Sequence, residues 1–348
     1  MERMAGETQK PRIGWDRGRY FSEMTQRNKT SPVLSIRDLR TYFHIHEGIA
    51  RAVDGLSCDV WRGETLGVVG ESGCGKSVTA LSILRLIPCP PGIIESGEIV
   101  FEGRNLLDFS LDKMREIRGN RISMIFQEPM TSLNPVFSVG SQLSKVFILH
   151  QHLSRREAWK RSIDMLSACD IPSPERIMTA YPHELSGGMR QRVMIAMALG
   201  CNPSVLIADE PTTALDVTIQ AQILDLMLRL RMEFGMAMIL ITHNLGIVAR
   251  AAQRVVVMYA GEKVEEADVY ALFERPRHPY TIALMNSVPV LSGSERFLKE
   301  IKGVVPTPFT VIRGCKFADR CPEAMDRCHR EKPQLRETEK GHLVACFR

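Results

Sequence analysis

The sequence predicts an α/β fold: a largely parallel sheet, interrupted by a helical insertion and followed by a small C-terminal extension. Three observations carry this expectation. Between Pro32 and about Gly261, short β-branched or apolar runs alternate with helical patterns, the signature of strands joined by crossover helices. From Ser138 to Leu199 the alternation lapses and helical periodicity takes over. Beyond Gly261, Pro279, Pro289, Pro306, Pro308 and Pro333 cut the chain into short segments.

Composition bounds the rest. A chain of 348 residues with 44% hydrophobic and 24% charged side chains has ample material for a core and room for one large domain with an appendage. A net charge of +5, dispersed along the chain, gives no basic surface of the kind that holds nucleic acid. The best apolar runs, Val193 to Leu199 and Met236 to Ile241, fall far short of the roughly 18 residues that a membrane span needs. Residues 1–31 are polar, lack the apolar stretch of a secretory signal and read as a flexible leader, so the chain is expected in the cytosol. Nine cysteines is an odd number, and Cys58, Cys74, Cys89, Cys169 and Cys201 are scattered, which argues against a disulfide framework.

In chain order, the expected strands are Val33 to Ile36, Thr65 to Val69, Ile122 to Phe126, Val205 to Ala208, Met238 to Ile241 and Val255 to Met258. Expected helices include Val78 to Ile87, Met189 to Leu199 and Arg155 to Ala168, the last with Ala158, Trp159, Ile163 and Leu166 on one face.

Chemistry concentrates at three places. Gly70-Glu71-Ser72-Gly73-Cys74-Gly75-Lys76-Ser77 fits G-x-x-x-x-G-K-[ST], directly after the strand Thr65 to Val69 and directly before the helical run Val78 to Ile87. Glycines let the backbone wrap phosphate oxygens so that N–H groups and the helix N-terminus face the anion. Lys76 would reach the β and γ phosphates and Ser77 would ligate Mg²⁺. A chance glycine turn is the bland alternative, and the flanking strand and helix weigh against it. Second, Val205 to Ala208 ends in Asp209 and Glu210, a costly end for a buried strand unless the charges serve something. Asp209 can hold Mg²⁺ and Glu210 can polarise the water that attacks the γ-phosphate. Third, Leu185-Ser186-Gly187-Gly188-Met189 opens a helix and reads either as a cap or as a second anion cradle. One nucleotide does not readily use both cradles of one subunit, which suggests a pair of subunits.

These residues together resemble the ATP-binding subunit of an ABC transporter, over about Val33 to the C-terminus. The resemblance implies a P-loop NTPase core over residues 32–262, a helical subdomain at about 128–194 and an extension over 263–348. It makes Ser186, Gly187 and Gly188 the signature that faces the opposite subunit's P-loop. It assigns Gln127, in Phe126-Gln127-Glu128-Pro129, to the Mg²⁺ or the water, Asp216, in Ala214-Leu215-Asp216, to the loop beside the nucleotide, and His243 to the γ-phosphate. Phe43, or its neighbour Tyr42, becomes the counterpart of the ring that stacks on adenine. Further residues resemble the importer branch for dipeptides, oligopeptides and nickel: Met189, Asn134-Pro135, His278-Pro279-Tyr280-Thr281 with Leu284 and Pro289, Gly314-Cys315-Lys316-Phe317 and Arg320-Cys321-Pro322. Asn244 departs from the acidic residue usual after the histidine, and Thr307 to Arg313 lacks the usual proline-rich run.

What the resemblance implies is an ATPase on the cytoplasmic face of the inner membrane, paired with a second similar ATPase subunit or a second copy. Two membrane-spanning permease subunits would dock on the helical subdomain, a solute-binding protein would act indirectly, and no nucleic acid would be bound. A soluble ATPase switching on ribosomes or DNA is the rival, opposed by the single P-loop and by the lack of sustained heptads. A nucleotide-binding regulator without turnover is the third possibility, and Lys76, Asp209, Glu210 and His243 speak against it.

Cys315, Cys321, Cys328 and Cys346 fall in the last 34 residues, without the C-x-x-C spacing of a strong metal motif. Lys316, Arg320, Arg327, Arg330 and Lys332 surround them, and nearby cations are expected to favour the thiolate. The resemblance implies a [4Fe-4S] cluster that pins the extension, with zinc as the runner-up.

Overall fold

The computed structural model describes residues 31–127, 132–212, 215–287 and 301–348. Apart from Ser31 the expected leader lies outside the described residues, as do Glu128 and Pro129, Ala214 and Pro289.

Two sheets form the frame. Strands β1 (Leu34–Ile45), β2 (Gly48–Val60), β4 (Gly92–Phe101) and β5 (Arg104–Asn105) pair antiparallel in the order β2-β1-β4-β5. The larger sheet joins β3 (Thr65–Val69), β6 (Ile122–Ile125), β7 (Val205–Asp209), β8 (Ala237–Ile241), β9 (Arg254–Tyr259), β10 (Glu262–Asp268), β11 (Arg336–Glu339) and β12 (His342–Val344) in the order β11-β12-β10-β9-β3-β8-β7-β6. From β9 to β6 every pairing is parallel, whereas β10, β12 and β11 are added antiparallel. The antiparallel sheet is the main departure from the sequence reading, which found only its first three residues, Leu34 to Ile36. Register shifts at Ile36/Leu39 and Thr41/Tyr42 break the period-two pattern that would have announced β1 at full length.

The parallel strands read as unbroken apolar runs because both faces are covered. Along β7, Val205 and Ile207 face a core shared with the antiparallel sheet, while Leu206 and Ala208 face the core of the helical insertion. Strand β8 divides in the same way, with Ala237, Ile239 and Ile241 on one side and Met238 and Leu240 on the other. Helix α1 (Lys76–Ile83) follows β3 and packs into the first core, and α2 (Leu111–Ile117) adds Met114 to it.

The insertion between β6 and β7 comprises α3 (Val139–Gln151), α4 (Arg155–Ala168), α5 (Pro174–Thr179) and α6 (Gly187–Leu199). Ser138 and Ser154 cap α3 and α4, the latter in a capping box with Glu157. The buried stripe of α4 is Ala158, Ser162, Met165 and Leu166. Trp159, expected on that face, is 39% exposed at its edge, where its ring lies so close to Gly140 that a β-carbon there would collide with it.

After β7 come α7 (Val217–Phe234), α8 (Leu245–Ala251) between β8 and β9, and α9 (Val269–Glu274) and α10 (Pro279–Asn286) beyond β10. A short α11 (Asp326–Arg330) precedes β11. The boundary expected at 262/263 falls at the start of β10, so the C-terminal lobe continues the core sheet. Its third core gathers Tyr259, Tyr280 and Phe317, whose rings meet at centroid distances of 4.6 to 5.3 Å.

Candidate functional site: a phosphate loop facing a carboxylate strand end

All five residues of β3 are buried, and the chain then turns through Gly70 to Gly75 into α1. Two glycines there are obligatory. Gly70 has φ 152° and Gly75 φ 101°, and a β-carbon would run into the carbonyl oxygen of Met258 at the first and of Ala52 at the second. Lys76 is buried and its Nζ donates to the carbonyl oxygens of Gly70 and Glu71 at 2.8 and 2.9 Å. The ammonium thus lies back across the loop that it would share with a phosphate. Cys74 is buried beneath it, its Sγ 3.6 Å from that nitrogen.

Ser77, the next residue on α1, hydrogen-bonds the Asp209 carboxylate at the end of β7. Asp209 is 3% exposed, and its Oδ1 has no hydrogen-bond partner among the described residues. Burial, above all, holds its carboxyl above the usual carboxylate range, with Glu210 adding to the effect and Ser77 and Lys76 opposing it. A hydroxyl beside a buried carboxylate with an uncommitted oxygen fits a divalent cation, whose charge would offset the burial cost.

Glu210 follows with φ 46°, a left-handed conformation that only surrounding structure sustains in a non-glycine residue, and its N–H donates to the carbonyl of Ile241. Its carboxylate joins the other two expected catalytic residues: Oε2 accepts from Gln127 Nε2 at 3.2 Å, and Oε1 lies 3.1 Å from His243 Nδ1. Gln127 follows β6 and His243 follows β8, so the ends of three adjacent strands, β6, β7 and β8, bring the set together. Asn244 accepts from the N–H groups of Gly246 and Ile247 and caps α8, a role for which asparagine serves as well as an acid.

Ser186 caps α6, its Oγ accepting from Met189 N at 3.3 Å, and Gly187 and Gly188 form the first turn. A β-carbon on Gly187 would meet Leu215 at 3.3 Å and one on Gly188 would meet Ile219 at 3.1 Å, so this turn rests on the start of α7. Asp216 sits at the N-cap of α7 without a side-chain cap bond. Phe43 lies against Gly92, where a β-carbon would stand 2.9 Å from its ring. Tyr42 donates its hydroxyl to Asp54 at 2.8 Å and lies under the Arg51 guanidinium.

The structure adds two residues that sequence reasoning did not place at the loop. Tyr280 accepts the Glu71 N–H at 2.8 Å, and Arg320 forms a two-pronged ion pair with the Glu71 carboxylate at 2.7 and 3.0 Å. The signal available was an acid inside a loop built for anions, which calls for a cation from elsewhere; nothing local named Arg320.

Cys315, Cys321, Cys328 and Cys346 all line one small pocket together with Phe317 and His278. All four are free thiols. The expectation that cations would lower their pKa values is corrected: burial pushes Cys315 and Cys321 up to about 11. The cations are engaged elsewhere, Lys316 with Asp54 and Glu262, Arg320 with Glu71, Arg327 with Glu331 and Lys332 with Glu262. Among the described residues no three His, Cys, Asp or Glu side chains are gathered so as to hold a metal ion. Among the described residues, too, no helix is long and apolar enough to cross a membrane.

Comparison with known proteins places this geometry. Residues 53–213 match the family described as ABC transporter, and residues 264–328 match the oligopeptide/dipeptide transporter C-terminal region. A probable peptide ABC transporter ATP-binding protein of Sinorhizobium fredii, y4tR, is 55% identical over 93% of this chain and 97% of its own. The oligopeptide transport ATP-binding protein AppD of Bacillus subtilis is 51% identical over 91% of this chain and 97% of its own. Among solved structures, the dimeric post-hydrolysis state of the ATP-binding cassette MJ0796 bound to ADP and Pi has a TM-score of 0.61 at 27% identity, covering 68% of this chain and 98% of that one. The chain belongs to the ABC transporter ATP-binding proteins, as an ATP-hydrolysing cassette that carries the C-terminal region of the oligopeptide/dipeptide branch.

Proposed function

We propose that this cassette powers the import of di- or oligopeptides, or of a related solute such as nickel, by closing head to tail with a second ATPase subunit around two ATP molecules. The observation that carries the ATPase step is the meeting of Gln127 and His243 on the Glu210 carboxylate beside the Ser77–Asp209 pair. Glu210 orients the attacking water and accepts its proton, His243 holds the γ-phosphate, and Lys76 neutralises the β and γ phosphates. Ser77, Asp209 and Gln127 would hold Mg²⁺, which supplies further neutralisation of the phosphate charge. Gly70 to Val78 cradle the phosphates, and Ser186, Gly187, Gly188 and Asp216 act on the partner's nucleotide. Phe43 or Tyr42 takes the adenine.

The peptide reading is supported by the names of the relatives and by the matched C-terminal region, which also disfavours a ribosome or DNA switch. Two permease subunits would dock beside Gln127, where Phe126, which lines a groove with Leu133 and Met194, and Val136 and Phe137 are 42%, 70% and 52% exposed. That docking would hold the chain at the cytoplasmic face of the inner membrane, and a solute-binding protein would deliver cargo on the other side. The second ATPase subunit would be a similar chain or a second copy of this one.

The four cysteines would hold a [4Fe-4S] cluster. The support for this reading is that the four thiols line one pocket, the number such a cube requires, with zinc as the runner-up. Its chemistry would be a cross-link of Cys315, Cys321, Cys328 and Cys346 that pins the C-terminal extension.

The test is the Glu210→Gln variant in the assembled transporter. It should bind ATP normally while losing about a hundredfold or more in hydrolysis, and peptide uptake should stop with it. Wild-type turnover would remove Glu210 from the mechanism; intact turnover with no stimulation by any peptide would remove the peptide reading alone.

A further inference from the structure

The C-terminal lobe grips the phosphate loop at its first turn. Arg320 is 5% exposed in its side chain and engages both oxygens of the Glu71 carboxylate. Its remaining donors are spent on the Tyr259 hydroxyl at 3.2 Å and on the carbonyls of Ile301 and Lys302, so the fork is held in place from behind. Tyr280, fully buried, turns the Glu71 N–H toward itself. Lys316 reaches to the other end of the loop, donating to the carbonyl of Ala260 at 2.9 Å, next to Gly261, whose N–H donates to the Cys74 carbonyl.

Two consequences follow from charge and from geometry. A carboxylate on a loop that must hold a triphosphate repels its ligand, and a buried guanidinium paired with it cancels that repulsion. The Glu71 amide, which the motif alone would aim at the phosphate, is committed to Tyr280, so the loop's first turn is shaped from outside the cassette core. Phe317 and Cys321 border both the cysteine cavity and this contact: Phe317 lies 6.0 Å under the Arg320 guanidinium, and Cys321 is its chain neighbour.

We propose that Arg320 and Tyr280 are positioning residues of the nucleotide site, acting through Glu71 to fix the first turn of the phosphate loop and to cancel its one carboxylate, so that ATP affinity depends on the folded state of the segment Cys315 to Cys321. This rests on the reading of Gly70 to Ser77 as the ATP site and is independent of whether the cysteines hold a cluster.

The test is equilibrium binding of a fluorescent ATP analogue to the full-length chain, with steady-state ATPase measured in the assembled transporter. Arg320→Gln should weaken binding about tenfold and raise KM in step, with kcat at saturating ATP within about twofold. Arg320→Lys should fall between, since lysine keeps the charge and loses the fork. The decisive variant is Arg320→Gln with Glu71→Gln: removing the carboxylate removes the repulsion, so affinity should recover toward wild type, a rescue that loss of structure would not show. Should Arg320→Gln not fold, Tyr280→Phe keeps the ring, frees the amide and should weaken binding about threefold. Wild-type affinity in soluble Arg320→Gln or Tyr280→Phe, or a double variant no better than Arg320→Gln, would overturn the proposal. Wild-type binding by Lys76→Ala would overturn the ATP site itself, and the proposal with it.

Discussion

The strand ends of the core and the loops of the C-terminal lobe both gather reactive side chains, by opposite means. In the core, every residue of β3, β7 and β8 is buried, and the loops that leave them inherit fixed positions from packing on two faces. The lobe has a small apolar core of its own, β11 is largely exposed, and β12 is three residues long. Beside the apolar packing of Tyr280 and Phe317 on Tyr259, it is braced within itself by polar bonds: Glu265, fully buried on β10, accepts from the N–H groups of Arg277 and His278 and pairs with His342 of β12 at 2.7 Å. The core arranges its chemistry through hydrophobic burial, whereas the lobe borrows its rigidity, and returns it through Arg320.

The largest expected effect breaks the lobe's side of this comparison. With the proposed cluster, anaerobically purified protein should be brown with about four irons per chain, and any one of Cys315→Ser, Cys321→Ser, Cys328→Ser or Cys346→Ser should abolish both. Colourless wild-type protein with stoichiometric zinc would replace the cluster by a single-ion site; metal-free protein of equal stability would leave the cysteines as packing residues.

A smaller effect sharpens the comparison by pH. Burial lowers the pKa of His278 to about 4 from its ordinary 6.5, and its Nδ1 accepts the Tyr280 N–H, which requires that nitrogen to be unprotonated. A depressed pKa gives stability that is present above the unfolded value and lost as pH falls toward the folded one. Between about pH 7 and about pH 5 the loss should be on the order of 2 kcal/mol, and His278→Asn, which can still cap α10, should not show it in urea unfolding. Equal acid sensitivity of the two proteins would remove His278 as its source.

The smallest effect lies in the helical insertion, whose packing resembles the core. Ser154→Ala removes the capping box of α4 and should cost about 1 kcal/mol in denaturant unfolding, with nucleotide affinity unchanged. A change in ATP binding would show that the insertion communicates with the phosphate loop as the lobe does.

Much of the site was legible because its residues are local. Gly70 to Ser77 lies between a strand and a helix in one stretch of chain, and Asp209 with Glu210 ends an apolar run. Gln127 and His243 are legible only through resemblance, because each is a single polar residue after a strand and its partner Glu210 is 83 and 33 positions away. The antiparallel sheet was hidden by bulges in β1, and Trp159 was misplaced because helical periodicity fixes a stripe without fixing which edge meets Gly140.

The sequence by itself determined the α/β class, the phosphate loop, the acidic strand end and the concentration of cysteines, since each is written in residues adjacent along the chain. Only the tertiary structure decided that Glu71 is neutralised by Arg320, 249 positions away, that Tyr280 takes its amide, and that the four thiols share one pocket. Pairing of that kind depends on which surfaces burial brings together, and burial also raised the pKa values of Cys315 and Cys321 where cations were expected to lower them, because removing a thiolate from water outweighed cations already paired to carboxylates elsewhere.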